Sequence, residues 1–267
     1  MLPEPFYALR EHLAIELPGA RAVFTTRRGG FSRGPYASLN LGRATDDDPE
    51  AVLRNRALLE AELGVPLRFV RQVHGTTVLR RGASDSDPPR AGAEAEPADP
   101  GSPPNVALPA SDGQVTSLRG LGLAALVADC LPIALADGGT VAMLHAGWRG
   151  LAAGVVGEGV RTVRQLDGGD PVTPSPPLTA AIGPGAGGCC YEVGEEVHEA
   201  FAGQPAEVHR GRRLDLKAIA RHELHKAGVA EVHDVGLCTI CGDGSLFYSH
   251  RRDRGVTGRQ VGVAWLS

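Results

Sequence analysis

The amino-acid sequence predicts a mixed α/β (α+β) fold, a single domain over residues 1–267 in which mixed β-sheets are covered by helices. Three observations carry that prediction. Apolar runs of strand length alternate with helix-length segments along the chain. With 267 residues, 42% of them hydrophobic, the chain can bury one substantial core. The sharpest change of composition, from Gly82 to Ala110, reads as an insertion within that domain and not as a boundary between two.

The elements follow in order. Pro49 to Leu63 is predicted as a helix: Asp48 can cap it, Pro49 suits its first turn, Ala51, Val52, Leu58 and Leu59 supply apolar contacts, and Gly64 ends it. Arg68 to Val73 and Thr76 to Leu79 read as strands broken at His74-Gly75, and Leu121 to Val127 and Leu131 to Ala136 as strands flanking Asp129-Cys130. Val141 to Leu144 is a further strand that delivers His145. After the turn Ala146 to Gly150, Leu151 to Leu166 is predicted as one helix. The apolar run Leu178 to Ile182 leads into the Gly-rich turn IGPGAGGCCYEVG and a helix near Glu195, and a polar helix ends near Gly228.

The insertion at 82–110 holds Asp85, Asp87, Glu94, Glu96 and Asp99 against Arg90, which accounts for the whole net charge of −4. Rich in Pro, Ala and Gly and poor in large apolar residues, it cannot repay its ordering entropy and is expected to be flexible, as a lid or as an idle loop. The remainder is neutral and carries no basic stripe, which argues against a nucleic-acid partner. No run approaches the roughly 18 apolar residues of a membrane helix, and the first residues lack the pattern of a signal peptide, so a cytoplasmic protein with no membrane partner is expected. Five cysteines, Cys130, Cys189, Cys190, Cys238 and Cys241, are an odd number in a long chain and suit reduced thiols better than a secreted disulfide framework.

Candidate chemistry sits in three short motifs: QVHG with His74, ADCLPI with Cys130 and HAGWRG with His145. Two imidazoles and a thiolate are the ligand set of a zinc site that keeps a fourth position open for water or substrate. A buried cysteine beside two hydrogen-bonded histidines would account for the same residue types. Each of the three stands at a strand end beside a Gly, a Pro or a turn, where a side chain can leave the sheet for a cleft while the strand fixes its backbone. Arg149, at the turn after His145, could bind phosphate or an oxyanion with nearby amides. Asp129 is a candidate for proton transfer or for orienting a ligand, and equally for capping a turn.

Other motifs have plainer readings. Cys238-Thr239-Ile240-Cys241 is a C-x-x-C pair with no second such pair in the sequence and reads as inert thiols. His222 and His225 are one residue short of H-E-x-x-H and read as a solvated helix face. Arg251, Arg252, Arg254 and Arg259 form a basic cluster suited to phosphate or to surface carboxylates. The Gly-rich turn before Cys189 fits an anion or tight packing.

In their order, FTTRRGGFSRGPYASLNLG, QVHG, ASDGQVT leading into ADCLPI, HAGWRG, AIGPGAGGCCYEVG and FYSHRRDRGVTGR resemble the YfiH-like, or laccase-domain, family over nearly the whole chain. Its members, long labelled polyphenol oxidases, are understood as zinc-dependent purine nucleoside phosphorylases that also deaminate adenosine. The resemblance implies a mixed α/β single domain of YfiH-like architecture. It also implies metal ligands at His74, Cys130 and His145, and a pocket to which Arg27, Asn40 and Asp112 contribute, Asn40 being equally suited to its own turn. The chain departs from the usual pattern in its acidic insertion and in His250, where an aromatic residue is more usual.

None of the nine histidines forms a His-X-His pair, which a multicopper cluster needs, so copper at the His/Cys/His set would be adventitious. An open zinc position suits both chemistries: it would lower the pKa of water for attack on C6 of adenine, and phosphate held by Arg149 could attack C1′ of the ribose. Zn²⁺ is therefore the expected cofactor. The expected partners are adenosine, inosine, guanosine or S-methyl-5′-thioadenosine with phosphate, acting on a monomer or homodimer. Three alternatives stay open: an amide or ester hydrolase with Cys130 as nucleophile and His145 as base, copper-dependent polyphenol oxidase activity, and a non-catalytic zinc module closed by Cys238.

Overall fold

Two six-stranded sheets stack face to face in this computed structural model, which describes residues 2–82, 108–166 and 177–267. The expectation for the 82–110 insertion falls almost wholly outside the described residues. Numbered along the chain, the first sheet runs in space β1 (Tyr7–Leu9), β2 (His12–Leu17), β3 (Ala20–Phe24), β14 (Gln260–Leu266), β7 (Gly122–Val127), β4 (Leu67–Arg68). The second runs β13 (Glu231–Asp234), β10 (Thr179–Ile182), β8 (Leu131–Ala136), β9 (Val141–Ala146), β6 (Gly113–Thr116), β5 (Val78–Arg81). Both are mixed: β4 is parallel to β7, β5 to β6 and β10 to β13, and the other pairs are antiparallel. A short hairpin, β11 (His209–Arg210) with β12 (Arg213–Leu214), stands apart.

Helices close both outer faces, so the order of layers is helix, sheet, sheet, helix. Helix α1 (Pro49–Leu63) lays Leu59 on the outer face of the first sheet among Leu39, Leu41, Val23, Val263 and Trp265. Helices α2 (Trp148–Ala153), α3 (Val155–Leu166) and α5 (Leu216–Lys226) cover the second sheet, where Leu151, Val160, Val163 and Ile219 meet Leu131, Ile133, Leu135 and Leu144. The short α4 (Glu195–Ala200) adds Val197 to the same cluster. Strand β8 shows how sequence sets these layers: Leu131, Ile133 and Leu135 face the helices, while Ala134 and Ala136 face the other sheet. Small residues let the sheets approach, and a one-residue slip would exchange the two sets, so the register is fixed. At Gly262 of β14 an added Cβ would meet Pro132 at 2.6 Å.

Helix α1 matches its predicted limits: Asp48 accepts from the Glu50 amide, and Gly64 caps the end at φ +70°. Three elements differ from expectation. The predicted helix 151–166 is two helices, because Gly154 takes φ +95° and turns its amide back to the carbonyls of Gly150 and Leu151, which ends α2. The predicted strand 68–73 pairs with β7 only at Leu67 and Arg68. Beyond these, the Gln72 side chain replaces the ladder, accepting from the Leu126 amide and donating to its carbonyl, both at 2.8 Å. The strand expected over 76–79 is shifted to β5, 78–81. Among the described residues no helix is long and apolar enough to cross a membrane.

Candidate active site

Two connections and the end of one strand supply the candidate ligands. His74 occupies the turn between β4 and β5 at φ +59°. Cys130 follows Asp129, which takes φ +90°, where the chain leaves β7 of the first sheet and enters β8 of the second. His145 lies near the end of β9, opposite Pro132 of β8, and is buried. The structure thus gathers all three: their donor atoms lie within 4.8 Å of one another, Cys130 Sγ being 3.9 Å from His74 Nε2.

Asp112, just before β6, organises this group from behind. Its buried carboxylate lies 2.8 Å from Nδ1 of His145 and accepts the amides of Val73, His74 and Gly75 at 3.2, 2.9 and 2.6 Å. One side chain therefore shapes the His74 turn and holds His145, leaving Nε2 of His145 for a ligand. Burial pushes Asp112 up, but His145 and the backbone donors outweigh it and hold the carboxyl below the usual range. Gly147 completes the cradle: an added Cβ would stand 2.9 Å from both Cys130 Sγ and His74 Cδ2.

The charges of the group are coupled. Burial pushes the Cys130 thiol up, yet His145 and His74 pull it down to about 6. Burial pushes His145 down, yet Cys130 and Asp112 raise it to about 9. Without metal, the two shifts act together and favour a thiolate beside an imidazolium. Two imidazole nitrogens and a thiolate, already clustered and backed by a carboxylate, fit a zinc ion with an open position.

These residues form the floor of a cavity of about 790 Å³, large enough for a nucleoside-sized ligand. Among the described residues its lining holds six arginines, Arg43, Arg56, Arg71, Arg149, Arg251 and Arg259, against one carboxylate, Asp129. A chain of net charge −4 thus presents a cationic pocket. Three of the arginines lie over aromatic rings of the same wall: Arg56 on Phe69 at 3.8 Å, Arg149 on Trp148 at 4.4 Å and Arg251 on Tyr191 at 5.1 Å. His250 also lines the cavity.

Other predicted residues have different surroundings. Asp129 borders the cavity, but both its oxygens are engaged, by Thr239 Oγ1 at 2.6 Å and by the Arg251 amide at 2.7 Å, so it ties two loops to the Cys130 turn. Arg27 donates to the carbonyls of Ala37, Gly244 and Pro35 and lies over Tyr248. Asn40 is buried, donates to Thr45 and Asp47, and accepts the amides of Gly42 and Arg259, so it shapes its own turn and the approach of Arg259. Of the C-terminal basic cluster, Arg251 and Arg259 reach the cavity, while Arg252 pairs with Asp253. His222 and His225 are exposed on α5. Cys238 is not a fourth ligand of the His74 group. It stands in a separate cluster with Cys189, Cys190 and Cys241, so the C-x-x-C pair has a partner pair after all.

Sequence comparison agrees with this architecture. The family model described as multi-copper polyphenol oxidoreductase laccase matches residues 21–267. A purine nucleoside phosphorylase of Streptomyces coelicolor is 42% identical, covering 93% of this chain and 96% of its own length. A purine nucleoside phosphorylase of Xylella fastidiosa is 39% identical, with 93% of each chain covered. The crystal structure of YlmD from Geobacillus stearothermophilus superposes with a TM-score of 0.84 at 34% identity over 99% of both chains. YfiH from Bacillus licheniformis superposes equally well, at 31% identity over 99% of this chain and 100% of its own. The chain belongs to the laccase-domain (YfiH-like) family.

Proposed function

We propose that the protein is a zinc-dependent purine nucleoside phosphorylase that also deaminates adenosine. Adenosine, inosine, guanosine or S-methyl-5′-thioadenosine would react with phosphate to give the free base and ribose 1-phosphate or its methylthio analogue. One observation carries this reading: His74, Cys130 and His145 share a cavity with six arginines and three aromatic rings. The names of the relatives in Streptomyces and Xylella support it.

The zinc held by His74, Cys130 and His145 would supply Lewis acidity to a substrate or water oxygen. The chain's own groups do the rest. Asp112 holds His145 through Nδ1, which keeps Nε2 turned to the metal. Arg149 and Arg251 would orient phosphate and offset its charge as it attacks C1′. Phe69, Trp148 and Tyr191, each with a guanidinium over its ring, would give the base a wall of stacked planar groups. Burial and the nearby Cys130 push the Tyr191 hydroxyl up, so Tyr191 lines the pocket as a neutral phenol. A cytoplasmic location completes the reading and suits five free thiols.

Incubation of metal-defined protein with a nucleoside panel, with and without phosphate, tests it. Base release that requires phosphate is expected, together with inosine from adenosine when phosphate is omitted. Absence of both products from every nucleoside would overturn the proposal. A second reading has an observation of its own: Cys130, His145 and Asp112 stand in the order nucleophile, base and orienting carboxylate. Full activity after zinc removal, abolished by alkylating Cys130, would favour that hydrolase over the phosphorylase.

A further inference from the structure

Behind the cavity, the turn that follows β10 and the turn that follows β13 bring four cysteines together. Cys189 Sγ lies 3.5 Å from Cys190 Sγ and 3.3 Å from Cys241 Sγ, Cys190 Sγ lies 3.3 Å from Cys238 Sγ, and all four sulfurs fall within 4.8 Å of one another. A tetrahedral zinc tetrathiolate with bonds of about 2.3 Å has sulfur–sulfur edges of about 3.8 Å, so small adjustments close such a cage. Core packing does not account for the cluster, because Cys189 and Cys241 are exposed, whereas an unreactive free cysteine is among the most buried of residues.

The backbone around the sulfurs has the features of a metal-binding turn. The Gly187 amide donates to Cys238 Sγ at 3.2 Å, and the Gly242 amide closes the C-x-x-C turn on the Cys238 carbonyl at 3.0 Å. Gly242 is needed sterically, because a Cβ there would lie 2.3 Å from the Cys238 oxygen, and one at Gly187 would crowd Cys189 Sγ at 3.1 Å. The turns are already stitched together, with Thr239 N donating to the Gly185 carbonyl at 3.1 Å and Gly185 N to that of Leu237 at 3.3 Å. Buried Lys217 donates to Leu237 O at 2.8 Å and pairs with Asp234 at 3.3 Å, which ties α5 to the same turn.

We propose that Cys189, Cys190, Cys238 and Cys241 bind one structural zinc ion as a closed tetrathiolate site, separate from the His74, Cys130 and His145 set. Binding transfers the thiol protons to solvent and leaves no position for substrate. The ion fastens together two walls of the cavity. Cys190 precedes Tyr191, which lines it, and Cys238 precedes Thr239, whose hydroxyl holds Asp129.

The experiment compares metal content by mass spectrometry in protein purified under reducing conditions. Wild type is expected to hold about two zinc ions per chain, and the Cys130→Ala/His145→Ala and Cys189→Ser/Cys241→Ser variants about one each. Because a cysteine variant can fail to fold, the Cys130→Ala/His145→Ala protein carries a second measurement. Loaded with Co²⁺ alone, it should show intense sulfur-to-cobalt charge transfer and tetrahedral d–d bands. That variant binding neither Zn²⁺ nor Co²⁺, or a mass short of the hydrogens lost to disulfides with no metal bound, would overturn the proposal. Neither result bears on phosphorolysis, which rests on the other site.

Discussion

The molecule holds two sulfur-bearing clusters that differ in what surrounds them. His74, Cys130 and His145 offer mixed nitrogen and sulfur donors at the floor of a cationic cavity, with Asp112 fixing their geometry from behind. Cys189, Cys190, Cys238 and Cys241 offer sulfur alone, in two turns bonded to each other. If both clusters bind metal as proposed, ligand number and access, more than cysteine count, are what would separate a reactive centre from a brace.

The largest expected effect breaks the comparison open. Cys130→Ala should lower phosphorolysis about 10³-fold, the scale of several kcal/mol of lost Lewis acidity, with little change in Tm. Cys238→Ser should do the reverse, lowering Tm by about 5 °C or more with a smaller loss of turnover. Calorimetry and steady-state kinetics on both variants check the contrast, and a shared pattern would erase it.

Reactivity sharpens it next. In metal-stripped protein at pH 7, Cys130 should have a thiolate fraction about 30-fold above that of a thiol of ordinary pKa, so that iodoacetamide modifies it a few-fold faster after its lower nucleophilicity is counted, with an inflection near pH 6. The sign follows from the lowered value: the thiolate persists as pH falls from 9 to 6 and is lost below that. Peptide mapping reads the rate for each cysteine, and an inflection near 9 would show that the imidazoles do not act on it.

Smaller effects probe the cradle. Gly147→Ala puts a Cβ 2.9 Å from two ligand side chains, and a shift of about 1 Å there should cost up to about 100-fold in kcat/KM. Asp112→Asn should weaken zinc binding by about 10–100-fold, measured by chelator competition. The mildest change is Arg149→Ala, expected to lower kcat/KM for phosphate about tenfold with a fall in kcat as well as a rise in KM, as loss of one charged hydrogen bond to the attacking phosphate predicts.

What the sequence revealed follows the range of the interactions. Helix α1 was legible because its cap, its proline and its closing glycine are all local. The three ligand motifs were legible because each places a donor beside a turn. Asp112 was seen only as a pocket residue, since its partners Val73, His74, Gly75 and His145 meet it through folding. The C-x-x-C pair looked isolated for the same reason: Cys189 and Cys190 stand about fifty positions earlier in the chain. The break at Gly154 was missed because a glycine in a helical pattern does not announce whether it will take positive φ. Arg43, Arg56 and Arg71 carried no sequence signal, being scattered until the fold turned them to one cavity.

Strand β14 has a consequence for how the protein is made. It lies between β3 and β7, so the N-terminal strands and the middle of the chain share no direct ladder until it arrives. During synthesis the first sheet must wait, with β3 and β7 each showing an open edge, until residue 266 has cleared the ribosome. The segment just before β14 supplies His250, Arg251 and Arg259 to the cavity, so the same late step that joins the sheet also completes the site. A stalled or truncated translation product would be both inert and exposed to edge-to-edge aggregation.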